Sequence, residues 1–261
     1  MIKTLKKYNW SHVALTFATL LVLAAWVFSF VETQNRKVTK INYAIESIEG
    51  ARNLISTKDL KTVVDHLYDV DIMNMPLVKL DLMSIEAILE TDNRIYTSEV
   101  YIDAQHEIHI GVVQRRPIVR IMDETGAQYY LDQEGKYISK QEYKAIRVPI
   151  ATGEIEAFAP DWQKREDSKI RECFEIVTAL RKDEFLTALI EQIHFEEERI
   201  VMIPKMSSER IVIKYLDNLE EKLANLKTFY RKELAQNNSW GKYKEIDISY
   251  KNQVVSRIVN P

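Results

Sequence analysis

The sequence predicts an α+β protein: one transmembrane helix, a small β-α-α-β-β domain, then a mixed β domain with two flanking helices. Three observations carry this. Residues 13–31, "VALTFATLLVLAAWVFSFV", hold no charged residue. Between 41 and 116, two amphipathic helix patterns lie between strand patterns. From Pro117 onward, β-rich runs alternate with Gly-containing turns and two longer helical patterns.

Composition bounds the chemistry. The 261 residues are 46% hydrophobic and 29% charged, a globular balance sufficient for one large or two modest domains. The single cysteine, Cys173, excludes an internal disulfide framework and a multi-cysteine metal site. None of the six glycines falls in a G-x-G-x-x-G or Walker pattern, so the common phosphate-cradling loops are absent. With a net charge of −3 overall and Lys3, Lys6 and Lys7 unopposed before residue 32, the remainder carries −6. A mildly acidic body argues against a nucleic-acid partner.

An apolar helix over 13–31, at 1.5 Å per residue, crosses a hydrocarbon core of about 30 Å. Tyr8 and Trp10 lie at one end, where aromatic rings favour the headgroup region. A cleaved signal peptide is the competing reading. The run exceeds the usual h-region of about 7–15 residues, and the small pair Ala24 and Ala25 lies inside it rather than after it. A buried core helix is the other alternative. Arg36, Lys37 and Lys40 follow the run as closely as three lysines precede it, so flanking charge barely orients it. A short leading tail and a large trailing body suit an uncleaved signal anchor. The expectation is a cytoplasmic tail (1–12), the helix (13–31), a polar stalk (32–40) and an extracytoplasmic body.

In 41–116, "INYAIESIEG" has strand-like apolar positions. Ser56 and Asp59 have capping-box spacing before a helix presenting Leu60, Val63, Val64 and Leu67. "DLMSIEAILE" presents Leu82, Ile85, Ile88 and Leu89. "RIYTSEVYID" and "HEIHIGVVQ" form a hairpin turning over 103–106.

In 117–261, turns at 124–126 and 133–135 separate β-rich runs, and "YKAIRVPIATG" adds a strand. Residues 168–182 form a helix with Ile170, Cys173, Phe174, Val177 and Leu180 on one side, which makes Cys173 a core residue rather than a reactive thiol. "RIVMIPK" and "ERIVIKYL" read as paired strands. A helix over 217–236 has Asp217 as its cap and Glu220 at the box position. Its stripe, Leu216, Leu219, Leu223, Leu226 and Tyr230, is too short for a coiled coil and packs on a sheet. The chain ends in a hairpin turning at Lys251 and Asn252.

One interruption needs a reason. "VVQRRPIVRI" breaks an apolar strand with Arg115, Arg116 and Pro117. Proline lacks an amide donor and is tolerated at a strand's first residue, on an edge or at a bulge. It also holds Arg116 extended. The stretch reads as a stiff junction between domains. The two arginines are either contacts for an acidic partner or lipid headgroups, or simply solvated; solvation is the preferred reading.

Catalytic candidates are poor. His106 and His109, three apart on a strand, face opposite ways and cannot chelate one ion together. Glu196, Glu197 and Glu198 read as a solvated loop run. Neither G-x-S-x-G nor H-E-x-x-H occurs. Carboxylate pairs for glycoside hydrolysis stay open, because they need not be close in sequence. No catalytic residue, cofactor, metal ligand or small-molecule substrate is expected. A membrane-tethered extracytoplasmic enzyme acting on cell wall is the alternative.

The order and spacing of "LDLMSIEAILE", "EVYIDAQHEIHIGVVQRRPIVRI", "YYLDQEGKYIS" and "YKEIDISYKNQVV" resemble an FtsQ/DivIB-type bacterial division protein. "YYLDQEG" and "RVPIATG" resemble the version in the Bacteroidetes-like branch. The resemblance implies a POTRA-like domain over 41–116 and a β domain over 117–261. It further implies a non-enzymatic divisome scaffold, single-pass in the inner membrane at the septum, that binds FtsL-like and FtsB/DivIC-like single-span proteins. It places Tyr250 and the terminal strand residues Val254, Val255, Ser256, Arg257 and Ile258 at the partner interface. Where many members have a basic residue before the tyrosine, this chain has Ser249, so a salt bridge there is not expected; Arg257 is the nearby cation. From the residues alone, "VVSRIV" (254–259) is either a bare edge open to a partner strand or an interior strand. A POTRA-bearing protein of outer-membrane assembly fits less well, because the terminal region is too short and helix-interrupted for a barrel.

Overall fold

A computed structural model of the chain describes residues 10–34, 36–48, 53–68, 72–140 and 146–259. The chain is α+β with a large mixed sheet. It divides into two compact units, the first built mainly from residues before Gln114 and the second mainly from Gln114 onward.

The first unit opens with α1 (Trp10–Gln34), whose side chains over 14–29 are exposed. The expected transmembrane helix is corrected here: among the described residues, no helix is long and apolar enough to cross a membrane. The helix also continues to Gln34, into the segment read as stalk. The expected cytoplasmic tail lies, through residue 9, outside the described residues.

After α1 come β1 (Lys40–Ile45), α2 (Thr57–Leu67), α3 (Leu82–Glu90), β2 (Ile95–Ile102) and β3 (Glu107–Gln114). β3 lies between β1 and β2, and β1 runs parallel to it. Ser56 and Asp59 form the expected capping box on α2. Leu60 and Val64 of α2, Ile85 and Leu89 of α3, and Ile108, Ile110 and Val112 of β3 are buried, while the alternate residues of β3 are half-exposed. β2 is an edge strand whose backbone is guarded by α3. The Val100 amide donates to Glu86 Oε1 at 2.7 Å, and the Ser98 amide to Glu90 Oε1 at 2.9 Å.

The second unit contains β4 (Pro117–Met122), β5 (Gln128–Asp132), β6 (Tyr137–Ser139), β7 (Ile150–Gly153), α4 (Lys169–Leu180), α5 (Glu184–Leu189), β8 (Ile190–Glu196), β9 (Arg199–Pro204), β10 (Arg210–Ile213), α6 (Leu219–Phe229), β11 (Tyr243–Asp247) and β12 (Val255–Ile258). These strands form one sheet in the order β12-β11-β10-β9-β8-β7-β4-β5-β6. Parallel neighbours need a crossover. Helices α4 and α5 connect β7 to β8, and α6, extended as a π-helix over Tyr230–Gln236, connects β10 to β11. Ile170, Cys173 and Val177 of α4 and Leu219, Leu223 and Leu226 of α6 join the sheet's apolar residues in one core. Burial, with the Glu156 charge nearby, pushes the Cys173 thiol well up, so it stays protonated.

Two helices were expected here, and α5 is a third. β8 is likewise unforeseen, because "IEQIHFE" follows α5 with no intervening turn residue. Asp217 does not cap α6. Its carboxylate accepts from the buried Lys222 ammonium at 2.9 Å, a bond that holds its pKa low, and Asn218 takes the cap position at φ 51° with no side-chain capping bond to the helix. A buried ammonium needs its counter-charge more than a helix end needs a cap.

Pro117 is the first residue of β4, and the register shifts between it and Val119. Both circumstances accommodate a residue without an amide proton. Arg115 donates to Asp132 Oδ2 at 2.7 Å, and that carboxylate is almost wholly buried. Arg115 is therefore a structural ion-pair partner rather than a solvated cation; Arg116 is exposed.

Candidate functional site

β12 lies at one end of the nine-stranded sheet, because β11 has β10 on its other side. It pairs antiparallel with β11, Ile258 opposite Tyr243 and Val255 opposite Asp247, with a bulge between Tyr243 and Glu245. The preceding turn places Asn252 at φ 58°, a conformation asparagine tolerates. The Val259 amide donates to the Lys242 carbonyl at 3.0 Å. Backbone groups alternate along a strand, so Val255 and Arg257 point their amides and carbonyls inward, toward β11. Ser256 and Ile258 point theirs outward. Among the described residues, nothing caps those outward groups.

Two of the other sheet ends, β2 and β6, differ. At β2, glutamates of α3 occupy the edge amides, as described above. At β6, three residues long, Asn93 Oδ1 accepts from the Ser139 amide at 3.2 Å. Guarded or very short edges resist strand addition; an uncapped one invites it.

The sequence-derived interface residues gather at this end. Tyr250 is 53% exposed, Val255 43% and Ile258 57%, with Arg257 and Val259 exposed beside them. Val254 turns the other way and packs against the core. Ser249 is buried: its hydroxyl accepts the Lys214 amide at 3.0 Å, and its own amide donates to Asp247 at 2.8 Å. A long basic side chain has no room in that position. Arg115, Arg116 and Pro117 are remote from β12 in the strand order, at the start of β4.

A row of charges missed by sequence reasoning crosses the sheet to this edge. Glu196 of β8 accepts from Arg199 of β9 at 2.6 Å and from Arg210 of β10. Arg199 also approaches Glu245 of β11 at 3.4 Å, and Glu245 approaches Arg257 of β12 at 3.5 Å. Burial alone would raise the Glu196 pKa, but the hydrogen bonds from Arg199 and Arg210 outweigh it and hold the group below its usual value. Glu196 thus belongs to a strand, not to the solvated loop expected for the three glutamates. The row ends on the cation Arg257, 77% exposed. The register that brings these residues together is not readable from a list of charges.

His106 lies in the β2–β3 turn at φ 62°, not on the strand, and His109 lies on β3. The two do not come together. His109 instead meets Asp103 and Glu107, and one ligand atom from each of the three lies within 4.8 Å of the others. In the second unit, a cleft of about 740 Å³ between α4 and α6 is floored by Trp162, Phe174 and Leu219. Its lining contains no histidine or cysteine.

The family model described as "FtsQ/DivIB, C-terminal related" matches residues 116–257, more than half of the chain and all but the tip of the sheet that carries β12. No curated protein matches the chain. With its C-terminal sheet so matched, the chain belongs to the FtsQ/DivIB family and is an FtsQ/DivIB-type cell-division protein.

Proposed function

We propose that the protein is a non-enzymatic scaffold at the division site, and that it adds an extended segment of a second division protein to β12. The occupants we assign are the FtsL-like and FtsB/DivIC-like small single-span proteins, linking early and late septation components. The observation that carries this reading is the terminal position of β12 with the outward groups of Ser256 and Ile258 uncapped. An added strand hydrogen-bonds those groups, while Val255, Ile258 and Val259 supply apolar area on its two faces. Tyr250 adds a half-exposed ring with a polar tip, the kind of side chain that anchors interfaces. Because the charge row ends on Arg257, the complementary strand carries an acidic residue opposite it.

The β-α-α-β-β order of the first unit supports a POTRA-like module there, with a role in localisation. The Arg115–Asp132 ion pair gives the start of β4 a structural role rather than a partner-binding one.

The test uses the purified chain and the segments of small single-span division proteins from the same cells, with affinity measured by calorimetry. Ser256→Pro removes an outward donor without touching a β11 bond and should weaken binding about tenfold or more. Arg257→Glu should weaken it and reverse its salt dependence. Unchanged affinity in both variants, with the fold intact by circular dichroism, sinks the edge-strand reading.

A further inference from the structure

The open face of the three-stranded sheet carries chemistry unrelated to the β12 edge. Side chains alternate along β3, so Ile108 and Ile110 enter the core while Glu107 and His109 share the opposite face. Asp103, in the turn after β2, reaches the same place. The three residues are half-buried, and their ligand atoms converge within 4.8 Å.

Each ligand has its own orienting contact. Asp103 Oδ1 accepts the amides of Gln105 and Glu107, both at 2.9 Å, which leaves Oδ2 directed at His109 Nε2, 2.8 Å away. The His109 ring lies flat against Tyr101, centroids 4.8 Å apart and planes within 7°. Glu107 accepts from Asn42 Nδ2 at 2.6 Å, and Asn42 stands opposite His109 on β1. Such outer contacts fix the geometry of metal ligands. The hydrogen bond from His109, with those from the turn amides, holds the Asp103 carboxyl below its usual range, so it is ionised at neutral pH. Lys40 approaches Glu107 only at 4.0 Å and is 63% exposed, so it can swing into solvent.

Two carboxylates alone would be an ordinary solvated pair. The imidazole changes the donor set: nitrogen with two oxygens suits zinc and its neighbours, whereas calcium and magnesium prefer oxygen alone. We propose that Asp103, Glu107 and His109 bind one divalent transition-metal ion of the zinc class, with water completing its coordination. A modest shift of the three side chains, opening the 2.8 Å Asp103–His109 pair and drawing Glu107 in, brings them to the usual bond lengths of about 2.0–2.2 Å. The ion takes the place of the Asp103–His109 hydrogen bond. The proton on Nε2 moves to Nδ1 or, from the imidazolium, to solvent. Bound metal then ties the β2–β3 turn to the face of β3.

The experiment is equilibrium dialysis of the full purified chain against buffered Zn²⁺, with bound metal counted by mass spectrometry, and Co²⁺ absorption as a second readout. The expected result is one equivalent of zinc that excess Mg²⁺ does not displace. His109→Gln and Asp103→Asn should each lower affinity by about tenfold or more. Asparagine retains the oxygen that accepts the turn amides, so Asp103→Asn keeps the hairpin intact. The proposal is overturned by the absence of bound zinc, by displacement with Mg²⁺, or by full zinc binding in both variants.

Discussion

Val259 donates its amide to the carbonyl of Lys242 at 3.0 Å, and this last rung sets which backbone groups of β12 face outward. Arg257 shares the inward orientation with Val259, and Ser256 does not. Proline substitutions should therefore separate cleanly. Arg257→Pro removes a ladder bond and should cost about 1 kcal/mol or more in urea unfolding. Ser256→Pro should change stability by less than about 0.5 kcal/mol. Equal losses in the two variants would show that the alternation is misassigned.

The carboxylates of Glu86 and Glu90 stand where a neighbouring strand would bond to β2. Replacing both by alanine leaves the Ser98 and Val100 amides open. The double variant should self-associate more strongly than the parent, as seen by light scattering across a concentration series. A strictly monodisperse double variant would remove the edge-guard role.

Gly153 has φ +98°, and a β-carbon built on it would lie 2.1 Å from the carbonyl oxygen of Phe195 on the paired strand β8. Neither the backbone conformation nor the space admits a side chain. Gly153→Ala should destabilise the chain by more than about 2 kcal/mol. Thermal and urea unfolding check this directly.

Glu196 has a folded-state pKa below its usual value, against the opposing effect of burial, because Arg199 and Arg210 donate to it. A depressed folded pKa stabilises fully above the unfolded value of about 4.3, and that stabilisation disappears as pH falls through the folded value. Glu196→Gln should thus be less stable than the parent at pH 7, and the difference should shrink in urea unfolding carried out in acid. A constant difference across that range would rule out the linkage.

The elements legible in the sequence were those with strong local signals. Ser56 and Asp59 announce α2, Gly126 and Gly135 mark the turns around β5, and the run from Val254 reads as extended. Elements whose cause lies elsewhere in the chain were not legible. Lys222 draws Asp217 away from capping α6, Asp132 turns Arg115 into a structural residue, and β8 has no turn residue before it. Likewise, comparing the two histidines of "HEIH" hid the convergence of Asp103 with His109, which depends on the turn and not on strand periodicity.

By itself, the sequence determined the elements with strong local signals, the family and the residues available at the terminal hairpin, since periodicity and turn chemistry act over a few neighbours. Only the tertiary structure decided that β12 ends the sheet and that a charge row from Glu196 terminates at Arg257. Strand order depends on where the crossovers through α4, α5 and α6 return the chain, and no local pattern records that.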